Sequence, residues 1–173
     1  MIISNPADHD VQKEIIEFIN LPYEFTGFLE FDNLTDGNLQ LKCLRKTPGD
    51  DLRNWVPSYH FAVLIDNQPI GEIDLRIGYT EGLYYGGNIG YAIDEAYRGH
   101  NYAPRACKLI KVVARAHKME KLNISNEYKN FSSKRVCEKI CARFVRVVVL
   151  PEENDMRKDG HEFENIFVWD LLE

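Results

Sequence analysis

The run Tyr91-Ala92-Ile93-Asp94-Glu95-Ala96-Tyr97-Arg98-Gly99-His100-Asn101-Tyr102-Ala103 holds residue types that together bind an anion. A short apolar strand leads into a tight turn, and the turn opens a helix whose first backbone N–H groups have no intrahelical partner. The helix dipole adds partial positive charge at that end, so phosphate is a natural occupant. Arg98, His100 and Arg105 would reinforce the charge, Gly99 would let the main chain approach a ligand closely, and Ala103 would keep the first turn narrow. An ordinary strand–turn–helix with a solvent-facing arginine is the plainer reading of the same run.

Charge is distributed in keeping with such a site. The formal net charge is −6, yet Glu95–Leu150 carries 13 Lys+Arg against 4 Asp+Glu, which leaves −15 for the rest. A basic segment in an acidic protein suits one polyanionic ligand, with cations tolerated elsewhere. Solvated helix faces would account for the same charges. Nucleic acid is not expected as a partner, because the basic residues lie on helices without a reading motif and the overall acidity opposes it.

The elements that must hold this site follow from periodicity. Asn101–Lys118 reads as a helix, with Tyr102, Ala103, Ala106, Cys107, Ile110, Val113, Ala114 and His117 on one stripe and Arg105, Lys108, Lys111, Arg115 and Lys118 opposite. Pro104 falls in its first turn, where no backbone donor is lost. Upstream, Asp10–Asn20 reads as a helix behind Asp8 or Asp10, and His60–Asp66 and Ile70–Ile77 read as hairpin strands around a turn at Asn67-Gln68-Pro69. Leu21–Pro57 is broken into short pieces by Pro22, Gly27, Gly37, Pro48 and Gly49, and Gly78–Gly87 reads as a loop. Asn88–Asp94 and Leu122–Asn126 are strands, Ser132–Ala142 is a helix with Val136, Ile140, Cys137 and Cys141 inward, and Val145–Leu150 and Phe163–Leu171 are closing strands around a polar turn at Pro151–Gly160. The order predicts an α/β protein with a mixed sheet: hairpins supply antiparallel neighbours, and a strand–helix–strand unit supplies a parallel pair.

Several ordered pieces resemble the GNAT superfamily of N-acetyltransferases. Arg98-Gly99-His100-Asn101-Tyr102-Ala103 resembles its pyrophosphate loop, Arg/Gln-x-x-Gly-x-Gly/Ala, with Asn101 where glycine is usual. Asn tolerates left-handed backbone, so the loop can keep its shape. Gly86-Gly87-Asn88-Ile89-Gly90-Tyr91 resembles the strand of a bacterial subgroup, Gly-Gly-x-Ile-Gly-Tyr. Asn130, Ser133, Arg135-Val136 and Glu138-Lys139 resemble its second coenzyme A motif, and Val56-Pro57-Ser58 and Gly71…Leu75-Arg76 also sit at the subgroup's positions. The likeness runs from about Val56 to the C-terminus.

The resemblance implies a mostly antiparallel sheet flanked by helices, with a splayed parallel pair of strands holding acetyl-CoA as cosubstrate. Main-chain groups of Tyr91, Ala92 and Ile93 would pair with the pantetheine arm, and the N–H groups of Arg98, Gly99, His100, Asn101, Tyr102 and Ala103 would take the pyrophosphate. Asn130 and Ser133 would contact the pantetheine near the thioester. An acceptor amine would attack the thioester directly, with the Ile93 N–H stabilising the oxyanion. Glu72 is the candidate base, with Asp74 two residues on and His60 behind it; a solvent-facing strand edge is the alternative for each. Cys137 stands seven after Asn130, where many relatives have a proton-donating tyrosine. Asn123 stands seven before, where some have a glutamate. A non-catalytic acyl-CoA-binding module is therefore the alternative function.

The bulk properties bound these readings. A length of 173 residues, 45% hydrophobic and 28% charged, predicts a single acetyltransferase domain, with 1–57 as a variable acceptor-side part and 58–173 as the coenzyme A core. Cys43, Cys107, Cys137 and Cys141 are not spaced as metal ligands, so no metal is expected. No membrane-spanning run and no secretory pattern are read, which makes the expected address cytoplasmic. The acceptor is expected to be a small-molecule or peptide amine, cationic if the acidic remainder selects it. Tyr84-Tyr85, expected to be exposed, and the closing strands would offer a homodimer surface.

Overall fold

In a computed structural model of the chain, residues 2–173 are described. They divide into two compact units that interleave along the chain. One comprises Pro22–Gly78, Ile89–Glu120 and Leu171–Glu173; the other comprises the residues up to Leu21, Tyr79–Asn88 and Lys121–Asp170.

The first unit holds a five-stranded antiparallel sheet and one long helix. Its strands are β2 (Thr35–Asp36), β3 (Leu39–Thr47), β4 (Ser58–Ile65), β5 (Gln68–Arg76) and β6 (Ile89–Ile93), hydrogen-bonded in that order. Tyr59, Phe61, Val63, Ile73 and Leu75 alternate onto one face and are buried to 1% or less. The helix α3 (Tyr102–Ala116) buries Ala106, Cys107, Ile110, Val113 and Ala114. Its C-cap His117 accepts the Tyr59 O–H at Nε2, 2.7 Å away, which places α3 on the Tyr59 face. Each large apolar side chain so buried contributes about 1.5–3 kcal/mol. The opposite face carries Ser58, His60, Glu72, Asp74 and Arg76.

His117 also ties down the chain ahead of the sheet. A carbonyl can only accept, so His117 Nδ1–H donates to Glu24 O at 3.0 Å, and the Tyr59 oxygen accepts Leu29 N–H at 2.8 Å. Phe25 stacks on the imidazole. Burial holds His117 neutral by lowering its pKa.

The second unit holds a four-stranded sheet ordered β1 (Ile3–Ser4), β8 (Arg143–Val149), β9 (Phe163–Asp170), β7 (Lys121–Glu127). Four helices belong with it: α1 (His9–Ile19), α2 (Glu81–Gly86), α4 (Phe131–Lys139) and α5 (Asp155–Lys158). Val11, Ile15 and Phe18 of α1 point inward, and its half-buried Glu14 pairs with Arg146 at 2.6 Å and accepts the Tyr84 O–H at 2.7 Å. No helix among the described residues is long and apolar enough to cross a membrane.

The structure departs from the sequence reading at identifiable places. Leu21–Pro57 contains the nine-residue strand β3; Leu39 and Leu41 face inward, but a bulge between Cys43 and Arg45 interrupts the alternation after them. The β4–β5 turn is Asp66-Asn67, both left-handed at φ 47° and 64°, as a two-residue hairpin of matching twist requires. Pro69 is inside β5, at a register shift opposite Leu64. The expected loop Gly78–Gly87 contains α2, N-capped by the Thr80 hydroxyl, and Pro151–Gly160 contains α5. Tyr84 and Tyr85 are 2% and 1% exposed, so they offer no surface to a second copy. Cys141 is exposed, because α4 ends at Lys139 and leaves residue 141 left-handed at φ 63°. The expected mixed α/β class stands: β1 with β8 is a parallel hydrogen-bonded pair, and β6 and β7, expected as a splayed pair, are edge strands of two different sheets.

Candidate functional site

The strand β6 is the last of its sheet, and its hydrogen bonding shows which groups it leaves at the edge. Asp94 N–H donates to Ile70 O at 2.8 Å, so by the alternation of an antiparallel ladder Ala92 also turns its main chain toward β5. Tyr91 and Ile93 turn theirs the other way. The Ile93 carbonyl there accepts Arg98 Nε at 2.9 Å.

After β6, a 3-10 turn at Glu95–Tyr97 leads to Gly99 at φ 85° and Asn101 at φ 62°, ψ 24°. Asn101 thus adopts a left-handed conformation, which Asn tolerates better than most residues with a side chain, and α3 starts at the next residue. A Cβ at Gly99 would meet nothing within 4 Å, so the main chain here is sterically open. Arg98 N–H already donates to Glu95 O at 3.2 Å, so of the expected pyrophosphate donors the turn would offer those from Gly99 onward, at the positive end of a 15-residue helix and with an unobstructed approach.

The expected reinforcing side chains separate. Arg98 bends back onto β6. Arg105 donates to Asp36 Oδ2 at 2.9 Å, to Asp36 O and to Asn38 Oδ1, and so pins the turn between β2 and β3 rather than serving the loop. Its sequence position on the polar stripe of α3 carried no sign of that partner. His100 remains exposed beside Tyr102, the ring centroids 5.5 Å apart.

On the polar face of the five-stranded sheet, Glu72 is exposed and stands opposite Ala92. Asp74 is half-buried, opposite Gly90 on one side and His60 on the other, and pairs with Arg76 at 3.0 Å. Burial pushes the Asp74 carboxyl up, while Arg76, His60 and Arg45 pull it down. An Arg45 guanidinium nitrogen lies 3.3 Å from His60 Nδ1, and a guanidinium only donates, so Nε2–H is left to donate to Ser58 Oγ at 3.0 Å. Burial and then Arg45 lower the His60 pKa, which keeps the ring neutral.

In the four-stranded unit, Asn130 caps α4, its Oδ1 accepting Ser133 N–H at 3.1 Å. Cys137 is fully buried, and Asn126 Nδ2 approaches its sulfur at 3.7 Å. Burial pushes the thiol up to about 12. An ordinary thiol lies near about 8.5, so Cys137 would be a poor donor to a departing thiolate. That burial is the setting of a packing thiol, where the resemblance had placed a proton donor. Asn123 is also committed: its N–H donates to Asn88 Oδ1 at 2.9 Å and its Nδ2 to Tyr84 O. The sequence reading missed Glu164, 2% exposed and directly opposite Glu127, whose carboxyl burial pushes up to about 7. Nothing in its local pattern distinguishes it from a solvent-facing strand glutamate. No metal-binding group of three or more His, Cys, Asp or Glu occurs among the described residues.

A family model described as an acetyltransferase (GNAT) domain matches residues 24–143. The chain belongs to the GNAT acetyltransferase family. Solved GNAT structures share its fold. An acetyltransferase from Salmonella typhimurium that modifies the N-terminal serine of a 50S ribosomal subunit protein is 16% identical, with a TM-score of 0.53 over 69% of this chain and 66% of that one. A GNAT-family acetyltransferase from Bacillus anthracis is 22% identical, with a TM-score of 0.52 over 66% and 67%. The microcin self-immunity acetyltransferase MccE, in complex with acetyl-CoA and AMP, is 14% identical, with a TM-score of 0.51 over 65% and 61%. The chain thus spans less than two thirds of the Salmonella and MccE chains, 66% and 61%. No curated protein matches it by sequence.

Proposed function

We propose that this protein is an acetyl-CoA-dependent N-acetyltransferase that moves an acetyl group to a primary amine of a small molecule or peptide. The observation that carries the reading is the open turn at Arg98–Ala103, where Asn101 holds the left-handed geometry of a GNAT pyrophosphate loop without its glycine. The turn's amide hydrogens would receive the diphosphate, and the outward-turned main chain of Tyr91 and Ile93 would pair with the pantetheine arm as an added strand. Acetyl-CoA supplies the acetyl group as an activated thioester. The chain's part is to align it with the amine, to stabilise the oxyanion through the Ile93 N–H and to accept the ammonium proton. With its thiol buried and its pKa raised, Cys137 would not be the acid that protonates the departing thiolate.

The acidic balance outside Glu95–Leu150 supports a cationic acceptor. The test has two parts. Calorimetry with coenzyme A is expected to show saturable binding that weakens when Asn101 is replaced by valine. Free thiol is then followed in mixtures of acetyl-CoA with pooled amines and peptides. Binding without thiol release above the hydrolysis blank would select the second reading, a non-catalytic acyl-CoA-binding module, which the committed Asn123 and buried Cys137 favour.

A further inference from the structure

Resting on the acetyltransferase reading, the geometry points to Asp74, oriented by Arg76 across the backbone of Gly90, as the catalytic base that takes the proton from the acceptor's ammonium. Gly90, on β6 opposite Asp74, carries no side chain. A Cβ at Gly90 would stand 2.7 Å from Asp74 Oδ1 and 3.0 Å from an Arg76 guanidinium nitrogen, so the ion pair occupies the volume a side chain there would fill. Asp74 therefore lies on the main chain of β6 itself. Nothing on Gly90 stands between its carboxylate and the edge where Tyr91 and Ile93 turn their N–H groups outward.

Glu72, the other carboxylate on this face, lacks both features. It sits opposite Ala92, whose methyl group intervenes, and it is exposed, whereas Arg76 is engaged by Asp74. His60 is one strand further from the edge, with both ring nitrogens engaged. Arg76 holds Asp74 in place, and half-burial raises its affinity for a proton, which narrows the gap to an amine. The step balances simply. The carboxylate takes one proton from the ammonium, and the freed nitrogen pair forms the C–N bond. The C–S bond breaks with its electrons on sulfur, and the second amine proton leaves to solvent or to the thiolate.

The experiment follows thiol release by the full chain with acetyl-CoA and whichever of n-butylamine, cadaverine or a tripeptide with a free N-terminus turns over fastest. Asp74→Asn is expected to lower kcat about 100-fold, with the calorimetric Kd for coenzyme A unchanged within about twofold. Glu72→Gln is expected to stay within about twofold of the parent. The Asp74→Asn deficit should shrink as pH rises toward the amine's own pKa, where no base is needed. The charged and titratable groups facing Asp74 are Arg76 and Glu72 on β5, His60 on β4 and Arg45 on β3; Gly90 and Ala92 of β6 add none. Gly90→Ala, which must displace the carboxylate, should lower kcat while coenzyme A still binds.

Full turnover in Asp74→Asn would overturn the assignment. So would a deficit that is equal at every pH, which marks a structural role, or a larger loss in Glu72→Gln. Absence of turnover with all three amines while coenzyme A binds would instead remove the acetyltransferase reading, and this assignment with it.

Discussion

The two compact units solve the placement of polar groups in opposite ways. The five-stranded unit builds its candidate diphosphate turn from main chain: a strand edge, a left-handed Asn101, an open Gly99 and a helix start. The four-stranded unit builds its interior from side chains. Asn165 Nδ2 donates to Asn126 Oδ1 at 2.8 Å, and Asn126 in turn reaches the buried sulfur of Cys137. Main-chain sites depend on backbone conformation and tolerate most side-chain changes, whereas a buried side-chain ladder fails when one member is lost. The units also bury titratable groups of opposite kind, His117 in the first and Glu164 in the second.

The sharpest way to break that contrast is a methyl group in the five-stranded unit. A Cβ at Gly71 would overlap the Ala92 carbonyl oxygen, which is backbone and cannot swing aside. Gly71→Ala is expected to cost about 3 kcal/mol of overpacking in denaturant unfolding. In the four-stranded unit, Asn165→Leu would leave Asn126 Oδ1 without its donor inside the fold, with an expected loss of about 2 kcal/mol.

Asn101 sharpens the comparison at smaller amplitude. Asn101→Val places a β-branched residue at positive φ and should cost about 1–2 kcal/mol and weaken coenzyme A binding, while Asn101→Gly should do neither. Arg105→Ala, by contrast, should loosen the β2–β3 turn in hydrogen exchange and leave coenzyme A affinity nearly unchanged.

The smallest expected effects are in pH. The folded pKa of His117 is lowered, so the folded chain binds fewer protons than the unfolded one just below the ordinary histidine value. Stability is then full above about pH 6.5 and falls as pH drops through the folded value. The folded pKa of Glu164 is raised to about 7, so its contribution is full below the ordinary carboxylate value and is lost as pH rises through 7. Glu164→Gln is expected to flatten the alkaline limb of a thermal-melt series and leave the acid limb in place. An unchanged alkaline limb would show that Glu164 is solvated.

Local physics settled a good part of the molecule in advance. The stripe of α3, the turn before it and the left-handed tolerance of Asn101 follow from periodicity and from the steric requirements of single residues, and they appear where the residue types put them. The same holds for β4 through β9, within a residue or two at their ends, because alternation and turn chemistry are short-range. Partners are another matter. Arg105 facing Asp36, Glu164 facing Glu127, Asp74 lying over Gly90 and β1 joining β8 each link residues far apart in the chain. Burial of Tyr84, Tyr85 and Cys137 depends equally on which surfaces meet them. Residue types and their spacing set which backbone conformations and which apolar faces the chain prefers. Which charges pair, which thiol is hidden and which carboxylate reaches an open strand edge follow from the folded chain alone, because these depend on distances that no local rule encodes.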